Sequence, residues 1–239
     1  MCGQTNLFQT GHGPLNRGVA LAVPQHMKLP RTAPSIPLQR DRDANPRRDH
    51  VVARTWAGDR VELRPLERGE AEPVLAVFAG MSLASRADRY LVGMSSLPPA
   101  MLKALTAVDG YDHAAWLAST RRRPAGIARY VRVGPGVAEI AFEVADDYQD
   151  RGLGTALLDT ITTVACAGGV RRVRGTVLAS NVRSQRLLGR VGIRLTPGDG
   201  VLDGEGRLRL LYPPRVDRSA VLALACAQSG TETLEGQCA

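Results

Sequence analysis

Residues 138–156 read AEIAFEVADDYQDRGLGTA. Ala138, Ile140, Phe142 and Val144 alternate with other residues, the period-two pattern of a strand with one buried face. The stretch then passes through Gln149-x-x-Gly152-x-Gly154 into a second pattern. There Leu153, Leu157, Ile161 and Val164 recur at helical spacing until Gly168-Gly169 interrupt them. A strand that turns through glycines into a helix can hold an anion. The first helical turn has backbone N–H groups without partners, and the helix dipole adds about half a positive charge there. Glycine lets phosphate oxygens approach the backbone. Thr155 offers a hydroxyl and Arg151 a charge. The segment is neither a Walker loop, since no GxxxxGK[ST] occurs, nor a dinucleotide GxGxxG, since Leu157 stands where the third glycine belongs. The glycine pair alone also fits a turn that binds nothing.

Working outward, patterning predicts strands over 61–66, 113–119, 126–133, 137–144, 172–178 and 207–212. Gly134-Pro135-Gly136 should close a hairpin. Helices are predicted over 69–80, 83–91 with Ser82 as N-cap, 98–108 opened by prolines, 152–167 and 182–191. A short one is expected over 219–227. The order is a strand, helices, a meander and then β-α-β-α-β, which implies an α/β domain with a mixed sheet. Residues 1–50 carry six prolines, at 14, 24, 30, 34, 37 and 46, and no sustained period; they read as a disordered arm. The domain is expected over 51–214 and a tail over 215–239. Either Met1 or Met27 is a possible start.

The segment resembles motif A of the GNAT superfamily of N-acetyltransferases, Gln/Arg-x-x-Gly-x-Gly/Ala after a strand. Asn181-Val182-Arg183-Ser184 through Gly192-Ile193 is similar to that superfamily's second motif, with Ile193 in place of the usual aromatic. The resemblance covers residues 61–212. It implies the GNAT fold, a mixed and mostly antiparallel central sheet flanked by helices, and acetyl-CoA as acetyl donor. It also implies that the strand ending at Val144 splays from its neighbour, freeing backbone groups of Phe142 and Val144 for pantetheine. The turn Gln149, Asp150, Arg151, Gly152, Leu153, Gly154 and Thr155 would hold the pyrophosphate, and Asn181 would lie near the pantetheine arm. Many relatives have a tyrosine on the last helix to protonate the leaving thiolate; that position falls here at Leu187 or Leu188.

Acetylating an amine requires its neutral form. A lysine ammonium has a pKa near ~10.4, so about one in ~2,500 is neutral at pH 7, and a carboxylate that takes the proton helps. Glu139 and Glu143 share one face of the strand, opposite Ile140, Phe142 and Val144. Both are candidate bases, or solvated residues on an open sheet face. Glu139 is preferred because its strand resembles the one in bacterial protein-lysine acetyltransferases. MSLASRADRY at 81–90 and LTAVDGYDHAAWLA at 105–118 resemble the same proteins, which implies a protein lysine as acceptor, for example on an acyl-CoA synthetase. A small-molecule amine acetyltransferase and a non-catalytic acyl-CoA-binding regulator are the alternatives.

Composition sets the remaining bounds. The net charge is +8, and residues 1–50, with seven Lys/Arg against three Asp/Glu, supply +4 of it. Such a balance suits a polyanionic ligand such as coenzyme A, and nucleic acid is not the expected partner. Lys28 and Lys103 are the only lysines. Cys2, Cys166, Cys226 and Cys238 lie far apart with no metal-ligand spacing, so no metal is expected, and Cys166 reads as a small core residue. With no apolar run of ~18 residues and no signal pattern, the chain reads as cytoplasmic.

Overall fold

The structure, a computed structural model, describes residues 49–198 and 200–229. The arm expected over 1–50 lies outside them apart from its last two residues, and so do both candidate starts. Eight strands form one sheet: β1 (Val51–Arg54), β2 (Arg60–Pro65), β3 (His113–Thr120), β4 (Arg123–Gly134), β5 (Val137–Val144), β6 (Arg172–Leu178), β7 (Arg194–Thr196) and β8 (Val201–Arg207). Their spatial order is β1-β2-β3-β4-β5-β6-β8-β7, and only β5 and β6 run parallel. The sheet is therefore mixed and mostly antiparallel, as expected.

Among the described residues six α-helices flank it: α1 (Ala71–Ala79), α2 (Leu83–Tyr90), α3 (Pro99–Leu105), α4 (Leu153–Ala167), α5 (Val182–Arg190) and α6 (Arg218–Ser229). The Ser82 hydroxyl accepts from the Ser85 N–H and caps α2 as its sequence predicts. The central strands are buried on both faces, which is why β3 reads HAAWLAST without clean alternation. Ala114, Trp116 and Ala118 join one core with α4 and α6; Ala115 and Leu117 join another with α1 and α3.

One expectation fails near the C-terminus. The last strand is not 207–212. Residues 208–212 are irregular, and a hairpin of β7 and β8 fills the sheet edge instead. The sequence VLDGEGR in β8 hid this strand, because glycine is a poor strand former. Those glycines are needed for close backbone approach: a Cβ on Gly204 would meet the Arg194 carbonyl at 2.5 Å, and one on Gly206 would collide with the Gly192 carbonyl. The tail read from 215 holds the short helix expected over 219–227 as α6, and its Val221 and Ala225 are core residues. Cys166, expected in the core, is only half-buried. No helix among the described residues is long and apolar enough to cross a membrane.

Docking of α6 depends on Asp159, a fully buried carboxylate on α4. It accepts from the backbone N–H groups of Arg215 and Val216 and pairs with the Arg218 guanidinium. Removing one partner from a buried network leaves the others unsatisfied and typically costs about 3–5 kcal/mol. Asp159→Ala should therefore lower the urea-unfolding free energy by about 3 kcal/mol, with Asp159→Asn less damaging. Wild-type stability in Asp159→Ala would show that apolar packing alone holds α6.

Candidate active site

The ladder between β5 and β6 pairs residues 137–139 with 172–174 and then stops. Pairing of β5 with β4 continues along the strand as far as Val144 with Gly126. The two parallel strands thus part at Glu139, as the splay requires. A cavity of about 680 Å³ opens in the fork. Of the candidate site residues, Glu139, Phe142, Glu143, Val144, Gln149, Asp150, Gly152, Gly154, Thr155 and Asn181 line it.

The turn takes the conformation that the glycines suggested. Gly152 has φ +95°, a left-handed conformation that side chains disfavour, and α4 starts directly after it. The first backbone bond of α4 runs from the Ala156 N–H to the Gly152 carbonyl, and no side chain caps this terminus. The N–H groups of the first turn are therefore available to an anion. By contrast α5 is capped by Asn181, whose side-chain oxygen accepts from the Ser184 N–H. The Gln149 amide donates to the Val144 carbonyl, to Asp146 and to the Ser85 hydroxyl, tying the end of β5 to the turn and to α2. Asp150, with φ +53°, forms an ion pair of 2.7 Å with Arg183.

Two expected contributors point elsewhere. The Arg151 guanidinium is held by Asp59 through two 2.7 Å bonds and does not line the cavity. The Leu153 side chain is buried in the core, leaving only its backbone to the turn. In both cases a partner distant in sequence, Asp59 or the apolar core, outcompetes the local anion site.

The two glutamates differ sharply. Glu143 is buried; its two oxygens are taken by Arg89, at 2.5 Å, and by Arg129, at 3.1 Å. Burial alone would raise its pKa, but the two guanidiniums outweigh it and hold the carboxyl below its ordinary value of 4.5. Glu139, two pleat repeats away, keeps 20% of its side chain exposed, with the Arg174 guanidinium 3.7 Å from its carboxylate. Asp88 of α2 also lines the cavity; burial raises its pKa, with Arg183 opposing.

Several lining residues had not been singled out as site residues. They include Trp56, Ser85 and Asp88, together with Arg183, Arg186 and Arg190. The three arginines sit at i, i+3 and i+7 on α5, a cationic stripe that helical spacing could have revealed. Nothing local marks Trp56, which arrives from the β1–β2 turn. Leu187 and Leu188 both line the cavity, and among the described residues no tyrosine, histidine or cysteine does.

Comparison with known proteins is consistent with this geometry. A family model of the acetyltransferase (GNAT) family matches residues 85–193. An acetyltransferase of Pseudomonas aeruginosa is 32% identical over 154 residues, covering 61% of this chain and 83% of that protein. The chain belongs to the GNAT acetyltransferase family. Acetyltransferase Pat of Mycolicibacterium smegmatis is 32% identical over 146 residues, or 59% of this chain, and the chain spans only 44% of Pat. The crystal structure of the GNAT domain of S. lividans PAT superposes with a TM-score of 0.62 at 26% identity, covering 66% of this chain and 97% of that one. As a GNAT acetyltransferase the chain uses acetyl-CoA as acetyl donor and an amine as acceptor. The uncapped α4 terminus, the glycine turn and the unpaired edge of β5 suit the donor's phosphates and its extended pantetheine.

A Cβ on Gly152 would lie 2.4 Å from the Trp56 ring and 3.2 Å from its backbone nitrogen, in a conformation already unfavourable for a side chain. Gly152→Val should weaken acetyl-CoA binding at least about tenfold by calorimetry, the order of a 1.4 kcal/mol loss. Gly154→Ala, whose Cβ would approach nothing closer than 3.5 Å, should keep the native melting temperature. Equal affinity in Gly152→Val and wild type would remove the phosphate site from this turn.

Glu143→Gln should destabilise the fold at pH 7 by about 3–5 kcal/mol, because two buried guanidiniums lose their counter-charge. A depressed folded-state pKa gives stability that is complete above the unfolded value near 4.5 and is lost as pH falls through the folded one. The gap between wild type and Glu143→Gln should therefore close below pH 4.5. A gap that stays constant with pH would refute the ionised triad.

Proposed function

We infer that the protein acetylates lysine side chains of a protein acceptor, with Glu139 as general base. The observation that carries this reading is the contrast on β5. Glu143 has both oxygens committed to guanidiniums, whereas Glu139 lines the cavity, partly exposed, at the point where β5 leaves β6. Proton removal by Glu139 would generate the neutral amine, which attacks the thioester carbon as the C–S bond breaks. Backbone N–H groups on the free edge of β5 would stabilise the transient oxyanion, an effect worth about 3–4 kcal/mol in other enzymes. Among the described residues no tyrosine lines the cavity to protonate the departing thiolate. A CoA thiol, with a pKa near a cysteine's ~8.5, is acidic enough to leave without one.

The resemblance of 81–90 and 105–118 to bacterial protein-lysine acetyltransferases, and the 32% identity to Pat, support a protein lysine as acceptor. A second reading, acetylation of a small polyamine, draws on Asp88, Glu139 and Asp150 in the lining. Asp150 is already paired with Arg183, and Glu139 lies within 4 Å of Arg174, which weakens an anionic trap.

Glu139→Gln keeps the shape and cannot accept a proton. At pH 7 its turnover should fall about 10²–10⁴-fold. The loss should shrink towards pH 10, where lysine deprotonates itself, with acetyl-CoA affinity unchanged. A drop of only a few-fold at pH 7 would leave substrate positioning as the better account. A thiol-release assay with lysine peptides against a polyamine panel separates the two acceptor readings.

A further inference from the structure

The β1–β2 hairpin, at the far edge of the sheet from the fork in sequence order, delivers an exposed indole to the cavity mouth. Trp56 is 73% exposed and lines the same cavity as Asp150 and Gly152. An exposed tryptophan is unusual, since burying its large apolar surface is favourable. Its position is also fixed. The Thr55 N–H donates to the Asp59 carbonyl, and the Asp59 N–H donates to the Thr55 hydroxyl, closing the turn. The Asp59 carboxylate then grips Arg151 with two bonds of 2.7 Å. This latches the hairpin to the phosphate turn, and the Gly152 backbone lies against the indole with no room for a Cβ. Thus the arginine that does not enter the cavity anchors the aromatic that does.

We propose that Trp56 is the stacking platform for the adenine ring of the acyl-CoA donor. The proposal rests on the assignment of the phosphate turn at Gly152. Coenzyme A carries its adenosine directly beyond the pyrophosphate, so a flat π-face beside the pyrophosphate turn meets the one aromatic part of the ligand. Base–aromatic stacking needs no particular hydrogen-bond pattern, only an accessible ring held in place. The surroundings suit the attached 3′-phosphate. Arg121 and Arg123 line a second cavity of about 610 Å³ together with Asp59 and Arg151, on the same latch.

The chain has two tryptophans, Trp56 and the fully buried Trp116, so emission changes on ligand binding report on Trp56. The experiment titrates the full chain with CoA, adenosine 3′,5′-bisphosphate and 4′-phosphopantetheine, following tryptophan fluorescence and heat. CoA and the bisphosphate should quench emission, and phosphopantetheine should bind without quenching. Trp56→Leu should abolish the quench and weaken CoA about tenfold, within the range of one stacked base. Its affinity for phosphopantetheine should not change, and Trp56→Phe should recover most of the loss. Asp59→Asn, which releases the latch, should weaken the bisphosphate in the same direction. If wild type binds CoA but Trp56→Leu binds it within twofold, or if phosphopantetheine quenches as strongly as CoA, the platform is overturned while the phosphate turn stands. If wild type fails to bind CoA, the turn assignment falls and the platform with it. The residual emission of Trp116 in Trp56→Leu verifies that the variant is folded.

Discussion

Strand β5 pairs with β4 out to Val144 but with β6 only over residues 137–139, and unpaired backbone polar groups inside a protein need other partners. The end of β5 solves this in two ways. The Gln149 amide satisfies the Val144 carbonyl, and the cavity in the fork presents the remaining edge to a ligand able to act as a short strand. The same divergence lets α4 aim its uncapped terminus into the fork. Glycine at 126 helps keep the region tight: a Cβ there would lie 2.7 Å from the Glu143 carbonyl and 2.9 Å from Leu157 of α4. The cavity and the candidate base that lines it are therefore consequences of where one pair of parallel strands stops pairing.

On the other face of β5 the controlling feature is charge. Arg89 arrives from α2 and Arg129 from β4, and both converge on Glu143. Desolvating three ionised groups is expensive, so their arrangement is a weak source of net stability but a strong constraint on geometry. It pins α2, which carries Ser85 and Asp88 of the cavity lining, against the sheet. It also removes one of two chemically identical residues from consideration as a base. Parity places Glu139 and Glu143 on the same face; their neighbours from other elements give them different chemistry.

The β1–β2 turn illustrates the same separation of roles. Arg151 has the charge and position in sequence expected of a phosphate ligand, yet a bidentate carboxylate partner from 92 residues away holds it more specifically. Its effect on the site passes through the loop that it fastens, and the mouth of the cavity acquires an aromatic wall instead of another cation.

Local patterning was sufficient for most of the architecture. The β5 and β6 boundaries, the α2 cap, the β4–β5 hairpin and the α4 start were legible because each depends on side-chain period, capping chemistry or glycine within a few residues. The glycine turn was legible for the same reason: Gly152 and Gly154 announce where backbone is exposed. The β7–β8 hairpin was not, because its glycines answer to the approach of another chain segment at Gly192 and Arg194, which no local period encodes. The α6 helix was visible as a helix but not as part of the core, since its docking rests on a buried aspartate 59 residues away from Arg218. Most of all, the sequence determined that two carboxylates face one way on one strand; only the tertiary structure decided that two buried guanidiniums neutralise Glu143 and leave Glu139 open. Electrostatic environment is set by groups brought together through folding, at separations of 14 and 54 residues here, whereas periodicity reports only on neighbours along the chain.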